Sequence, residues 1–254
     1  MMSTSIMVCD DRTQIAARAL DLLVTQLNAA IRLRGEAHLA LTGGSSAASL
    51  FTLLLTDAVA RRTDWSRVHV WQGDERFVPH EHPDSNWAGA LRGWLELDGG
   101  PAIPAAHLHP MPVAEAIAGG HDAAWAAERY AAEIEHALPL RKGLPAFDVI
   151  LLGVGSDGHI LSAFPESSAV ADDAPIVTAV PAPLHIEPHL PRVTLVPRLL
   201  MAAGTVLVMI PGSSKEDVVR ACFDPTMDVQ HLPAQWALRP NALWLLDRDS
   251  AADL

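Results

Sequence analysis

Three observations predict an α/β protein with a mostly parallel open sheet and helices on both faces. Short, continuously apolar runs recur along the chain. Segments with apolar residues at steps of three and four lie between them. Turns rich in Gly, Ser and Pro join the two. Strands that are apolar throughout must be covered on both sides, as in parallel sheets wrapped by helices. The 254 residues, half of them hydrophobic, are enough for one such unit, and no repeat or linker divides them. One domain spanning 1–254 is therefore expected.

The elements follow in chain order. Residues 13–34 carry Ile15, Ala19, Leu22, Leu23, Leu27, Ala30 and Ile31 on one stripe and predict a long amphipathic helix. AHLALT (37–42) predicts a buried strand, followed by a Gly-Gly-Ser-Ser turn and a helix to about Ala60. VHVWQG (68–73) predicts a second strand. Asp84-Ser85-Asn86 precedes WAGALRGWL in the manner of a helix N-cap. The Pro- and Gly-rich stretch 95–120 predicts loop, with a short strand around His107-Leu108-His109. A helix is expected over 121–138, and FDVILLGVG (147–155) is the strongest strand signal in the chain. Six prolines in 165–191 predict extended chain and turns. Strands over 193–196, 205–210 and 242–246 and a short helix over 215–223 complete the pattern.

Composition narrows the function. The net charge is -12, which disfavours nucleic acid and anionic membrane surfaces as partners. An anionic ligand would need the few basic residues gathered at one site. The two cysteines, Cys9 and Cys222, form no CxxC pair and no zinc spacing, so a reducing, cytoplasmic setting is expected. The N-terminus lacks a basic segment followed by an apolar one, so no signal peptide is expected, and no run of about 18 apolar residues suggests a membrane span. Neither His107-x-His109 nor His185-x-x-x-His189, which contains Pro188, makes a convincing metal site, so no metal is expected.

Five segments can carry chemistry, and four of them come just after a predicted strand, where open α/β sheets bind ligands. GVGSDGHILSAF (153–164) contains G-x-G-x-x-G, with Asp172 and Asp173 at the distance of a ribose-binding acid. Pro165, however, leaves room for about two helical turns at most, and Asp157 would put a negative charge against a pyrophosphate. The competing reading pairs Asp157 with His159 around a sharp turn at Gly158: an imidazole that accepts a proton and a carboxylate that orients it. An ordinary loop Asp and His is the third reading.

In WQGDERFVP (71–79), Arg76 can clamp a phosphate or carboxylate, and Asp74 can hydrogen-bond a hydroxyl or act as a base. The alternative is a solvated charge run. The Gly43-Gly44-Ser45-Ser46 turn offers amides, hydroxyls and a helix N-terminus to a phosphate, or serves as a plain cap. It lacks the Lys of a P-loop. Lys215, in a Gly-Ser-Ser-Lys turn, and Arg192, ahead of a strand, are either anion ligands or exposed cations.

Together, LTGGSS, QGDERFVP with DSN, FDVILLGVGSDGHILSAFP, PRVTL, PGSSK and WLLD resemble, in order, the 6-phosphogluconolactonase family over residues 38–252. The resemblance implies a sheet of the glucosamine-6-phosphate deaminase type. It implies hydrolysis of 6-phospho-D-glucono-1,5-lactone in the pentose phosphate pathway without metal or organic cofactor. It makes His159 the base for water, with Asp157 supporting it and Asp74 lining the sugar end. Arg76, Arg192, Lys215 and the Gly43–Ser46 turn would address the phosphate or the lactone's polar groups. The expected partner is the phosphorylated lactone alone, with a monomer or small homo-oligomer left open. Two departures stand out: Ile160-Leu161 where the family usually has Thr-Ala, and Ser46-Ala47 after the glycines. Deaminases of this fold carry a Glu five residues after the His, where this chain has Phe164. A deaminase or isomerase, a non-catalytic sugar-phosphate sensor and a nucleotide oxidoreductase are the alternatives.

Overall fold

Seven parallel strands form the centre of the computed structural model. It describes residues 4–95 and 100–254; of Ser45, Leu91 and Arg92 only the backbone is described. The strands are β1 (Ser5–Cys9), β2 (Ala37–Leu41), β3 (Val68–Gln72), β4 (Asp74–Arg76), β5 (Leu108–His109), β6 (Leu140–Arg141), β7 (Leu144–Pro145), β8 (Val149–Leu152), β9 (Val177–Val180), β10 (Arg192–Leu195), β11 (Thr205–Ile210) and β12 (Ala242–Asp247). The helices are α1 (Arg12–Arg34), α2 (Ser45–Thr56), α3 (Asn86–Ala90), α4 (Val113–Gly119), α5 (Ala123–Ala137) and α6 (Glu216–Cys222). The main sheet runs β1-β12-β11-β8-β2-β3-β5.

Successive residues in a strand point to opposite faces. Leu39, Leu41, Val149, Leu151, Leu207 and Met209 face the core under α1 and α2. Ala40, Ile150, Leu152, Val206, Val208 and Ile210 face the core that includes α5 and α6. Both faces are apolar, which is why the strands read as unbroken hydrophobic runs.

Strand order fixes where a ligand can sit. From β2 the chain adds β3 and β5 on one side, then crosses to β8, β11 and β12 on the other. The loops leaving β2 and β8 therefore diverge and open a crevice at the carboxyl ends of the strands. Read across the sheet, the segments that follow β11, β8, β2 and β3 carry Lys215, His159, Gly43 and Arg76, the last on the short strand β4.

Several expectations need correction. The strand at 193–196 does not join the main sheet; β10 lies antiparallel between β4 and β9 in a separate three-stranded sheet. Asp74–Arg76 is one of those strands, not a solvated charge run. The helix expected to reach Ala60 stops at Thr56, because the Asp57 side chain accepts from Val59 N (2.8 Å) and turns the chain. The stretch expected as loop holds α4, which buries Val113 and Ala116 and ends on left-handed Gly120. Residues 96–99 of that stretch lie outside the described residues. β1 and β9 were not anticipated. Beyond GVGSDG there is no helix; Gly158 takes φ 84° in a turn, so the dinucleotide reading loses its anion-binding helix end.

Candidate active site

The crevice holds a cavity of about 230 Å³ whose walls include Gly43, Gly44, Asp74, Arg76, His159 and Lys215. Ser46 and Arg192 also line it. The side chain of Ser45 lies outside what is described. Asp157 is not on the wall; it stands behind His159.

The catalytic candidates sit on the turn after β8. Asp157 Oδ1 meets His159 Nδ1 at 2.5 Å and also accepts the His159 main-chain N–H at 3.2 Å. An ionised carboxylate only accepts, so His159 carries its proton on Nδ1 and keeps Nε2 as an acceptor. Burial works against the charge on Asp157. The hydrogen bonds from His159, the imidazole's own charge and a further bond from His185 outweigh it and hold the carboxyl well below the usual range. Gly155 makes this packing possible: a methyl group there would sit 2.1 Å from His159 Nδ1 and 2.6 Å from Asp157 Oδ1. Phe164, itself buried, packs against the imidazole with ring centres 4.8 Å apart. The position of the deaminase Glu is thus apolar, and Glu166 is turned away toward His231 (3.5 Å).

Lys215 Nζ donates to Val154 O at 2.8 Å, so the end of β8 fixes the ammonium at the pocket. Burial lowers its pKa, with Asp157 opposing. Across the crevice, α2 begins at Gly44 (φ 80°) with no side chain among the described residues capping it. The first amides of this 12-residue helix are left for a ligand, and Gly44 and Ser46 both line the cavity. Gly43 is required by close approach, since a Cβ there would lie 2.1 Å from Asn86 Oδ1.

Arg76 and Arg192 face each other in register on β4 and β10. Arg192 is 2 % exposed, which corrects the exposed-cation alternative. Two of its nitrogens donate to Leu190 O and Pro188 O, so it anchors the loop at 181–191 as well as lining the pocket. Burial, then repulsion from Arg76, pulls its pKa to about 10, which leaves it charged at neutral pH; Asp74, Asp84 and Glu75 oppose the shift. Arg76 donates to Asp84 O, and its buried Nε finds no partner among the described residues. Asp74 accepts the Ser162 hydroxyl at 2.6 Å. Ser162 reaches it because Leu161 adopts φ 57°, a left-handed conformation uncommon for a branched side chain.

Several contributors were not foreseen. Glu75, fully buried, receives Gln72 Nε2, Ser85 Oγ and the main-chain N–H groups of Arg76, Asn86 and Trp87. It caps α3 from a distance and locks the strand presenting Arg76. Asn86, Ser162 and Glu187 line the cavity. Within DERFVP and DSN, two acids and one base in adjacent positions were the available signal, but only folding shows which acid is structural.

The family described as glucosamine-6-phosphate isomerases/6-phosphogluconolactonase matches residues 10–245. The chain belongs to the glucosamine-6-phosphate isomerase/6-phosphogluconolactonase family. Within this family it is 37 % identical over 255 residues to the 6-phosphogluconolactonase of Mycobacterium tuberculosis, covering 100 % of this chain and 99 % of that one. It is 34 % identical over 257 residues to that of Synechocystis, again over 100 % and 99 %. Among solved family structures, 6-phosphogluconolactonase from Trypanosoma cruzi superposes with a TM-score of 0.86 at 26 % identity, over 100 % of this chain and 97 % of that one. A monomeric glucosamine-6-phosphate deaminase shares the fold, with a TM-score of 0.78 at 16 % identity over 98 % and 99 %.

Proposed function

We infer that this protein hydrolyses 6-phospho-D-glucono-1,5-lactone to 6-phosphogluconate, as a lactone-hydrolysing enzyme of the pentose phosphate pathway. Full-length likeness to 6-phosphogluconolactonases supports the activity. The observation that carries the mechanism is that an imidazole backed by a carboxylate and a set of anion-binding groups line one small cavity.

His159 Nε2 takes a proton from water as the water oxygen bonds to C1. Asp157 holds the Nδ1 proton and stabilises the imidazolium. Negative charge on the carbonyl oxygen is met by Arg76, whose Nε has no partner among the described residues. The C1–ring oxygen bond then breaks, and the imidazolium gives its proton to the departing ring oxygen. Lys215 and the first amides of α2 converge at the end of β8, and this is the phosphate subsite. Binding there holds C1 against the base. Asp74, tied to Ser162, receives a sugar hydroxyl, and Arg192 adds charge and braces the loop.

The chain acts as one hydrolase domain in a reducing, cytoplasmic setting, a reading supported by two buried, unpaired cysteines. Among the described residues no helix is long and apolar enough to cross a membrane.

Replacing His159 with Ala tests the reading. Turnover of freshly made 6-phosphogluconolactone should fall by about two to four orders of magnitude, with little change in product binding. A near-wild-type rate in a folded variant would reject His159 as the base.

A further inference from the structure

The Asp157 carboxylate has a second imidazole on it. His185 Nε2 lies 2.8 Å from Asp157 Oδ2, while Oδ1 is taken by His159. His185 sits on the Pro-rich loop at 181–191, about half exposed, with its ring edge-on to Phe164 at 6.0 Å. The same loop puts Ile186 and Glu187 into the pocket wall and is fastened from below by Arg192. Phe164 thus contacts both imidazoles, and Asp157 bridges them.

We propose that His185 is a positioning residue: it acts through Asp157 to aim and moderate His159, and it couples the pocket loop to the base. The proposal rests on the hydrolytic reading of His159. A carboxylate held at one oxygen can rotate away from its partner; a donor on the other oxygen fixes its plane. Each donor also takes a share of the carboxylate's negative charge. With His185 in place, Asp157 keeps the His159 ring in line while sharing its charge between two donors. Lys215 interacts with Asp157 from the turn before α6, and Glu187, on the pocket wall, pairs with His189 at 3.6 Å. Neither replaces a donor on Oδ2.

The test compares full-length His185→Phe, His185→Gln and His159→Ala on 6-phosphogluconolactone, measuring kcat and KM from pH 5.5 to 8. Phe keeps the contact with Phe164 but donates nothing; Gln keeps an N–H at the same reach. In His185→Phe, kcat should drop about tenfold with KM within about twofold, the loss of one charge-assisted hydrogen bond. The acid limb of its kcat profile should move up by roughly half a pH unit. His185→Gln should restore both within about threefold in rate. Two results would overturn the proposal: both variants matching wild type in rate and acid limb, or both losing rate equally with the limb unmoved, which is loop packing alone. Either result with His159→Ala inactive sinks only this proposal; an active His159→Ala sinks the hydrolytic reading itself.

Discussion

Lys215 reaches the pocket on one hydrogen bond to Val154 O, and its charge faces the uncapped start of α2. Lys215→Ala should raise KM for the phosphorylated lactone by roughly 10- to 100-fold, the range of a hydrogen bond to a charged group. KM for unphosphorylated gluconolactone should change little, and steady-state kinetics on both substrates checks this. Equal effects on both would remove Lys215 from the phosphate subsite. At this scale the sequence was informative about types more than roles. Asp157, His159 and Lys215 stand in turns after apolar runs, where side chains have no core to fill, so their polarity signals chemistry. Glu75 carries the same signal and is structural, because it is consumed by five donors that adjacency in sequence does not reveal. His185 lies 26 residues from His159 and was considered only with His189 as a metal ligand.

Elements whose stability is local were legible, and those that need a partner were not. α1 declares itself by its stripe, by Asp11 accepting from Gln14 N (2.8 Å) at its start, and by left-handed Gly35 at its end. Asp11→Ala should cost about 1 kcal/mol, the usual effect of losing an N-cap, read as a lower urea midpoint with unchanged slope. β8, β11 and β12 are visible because every residue in them but the ends is apolar, and in β2 only His38 interrupts the run. β4 is three residues of charge, Asp74–Arg76, and is a strand only because β10 lies against it. β9 is hidden among prolines for the same reason, and β1 at the sheet edge leaves Ile6 and Val8 exposed, weakening its pattern. The three-stranded sheet β4-β10-β9 is therefore a tertiary product, and it is the sheet that brings Arg76 and Arg192 into register.

Across the whole molecule, the end of the sheet opposite the pocket gathers imidazoles. His69, on β3, stacks on His107 with ring centres 3.9 Å apart and lies 2.9 Å from His109, with His38 stacked at 4.9 Å. Burial, then His107, His38 and His109, lower the pKa of His69 from 6.5 to about 4, with Glu36 opposing. Its folded value is below its unfolded one, so the unfolded chain binds more protons between them. Stability is full above about pH 6.5 and falls as pH drops toward about 4. Urea unfolding at pH 7.5 and pH 5 should show a lower midpoint at pH 5, and His69→Gln should flatten that difference. The carboxyl of Asp157, also depressed, adds its loss only below its unfolded value of 3.8. By itself the sequence determined the α/β class, the principal strands and helices, and which turns carry reactive groups, because apolar period and turn chemistry are local properties. Only the tertiary structure decided which acid caps a helix, which arginine is buried, and which imidazole stands behind the base. Those outcomes depend on strand order and loop crossing, which place residues far apart in the chain within hydrogen-bond reach.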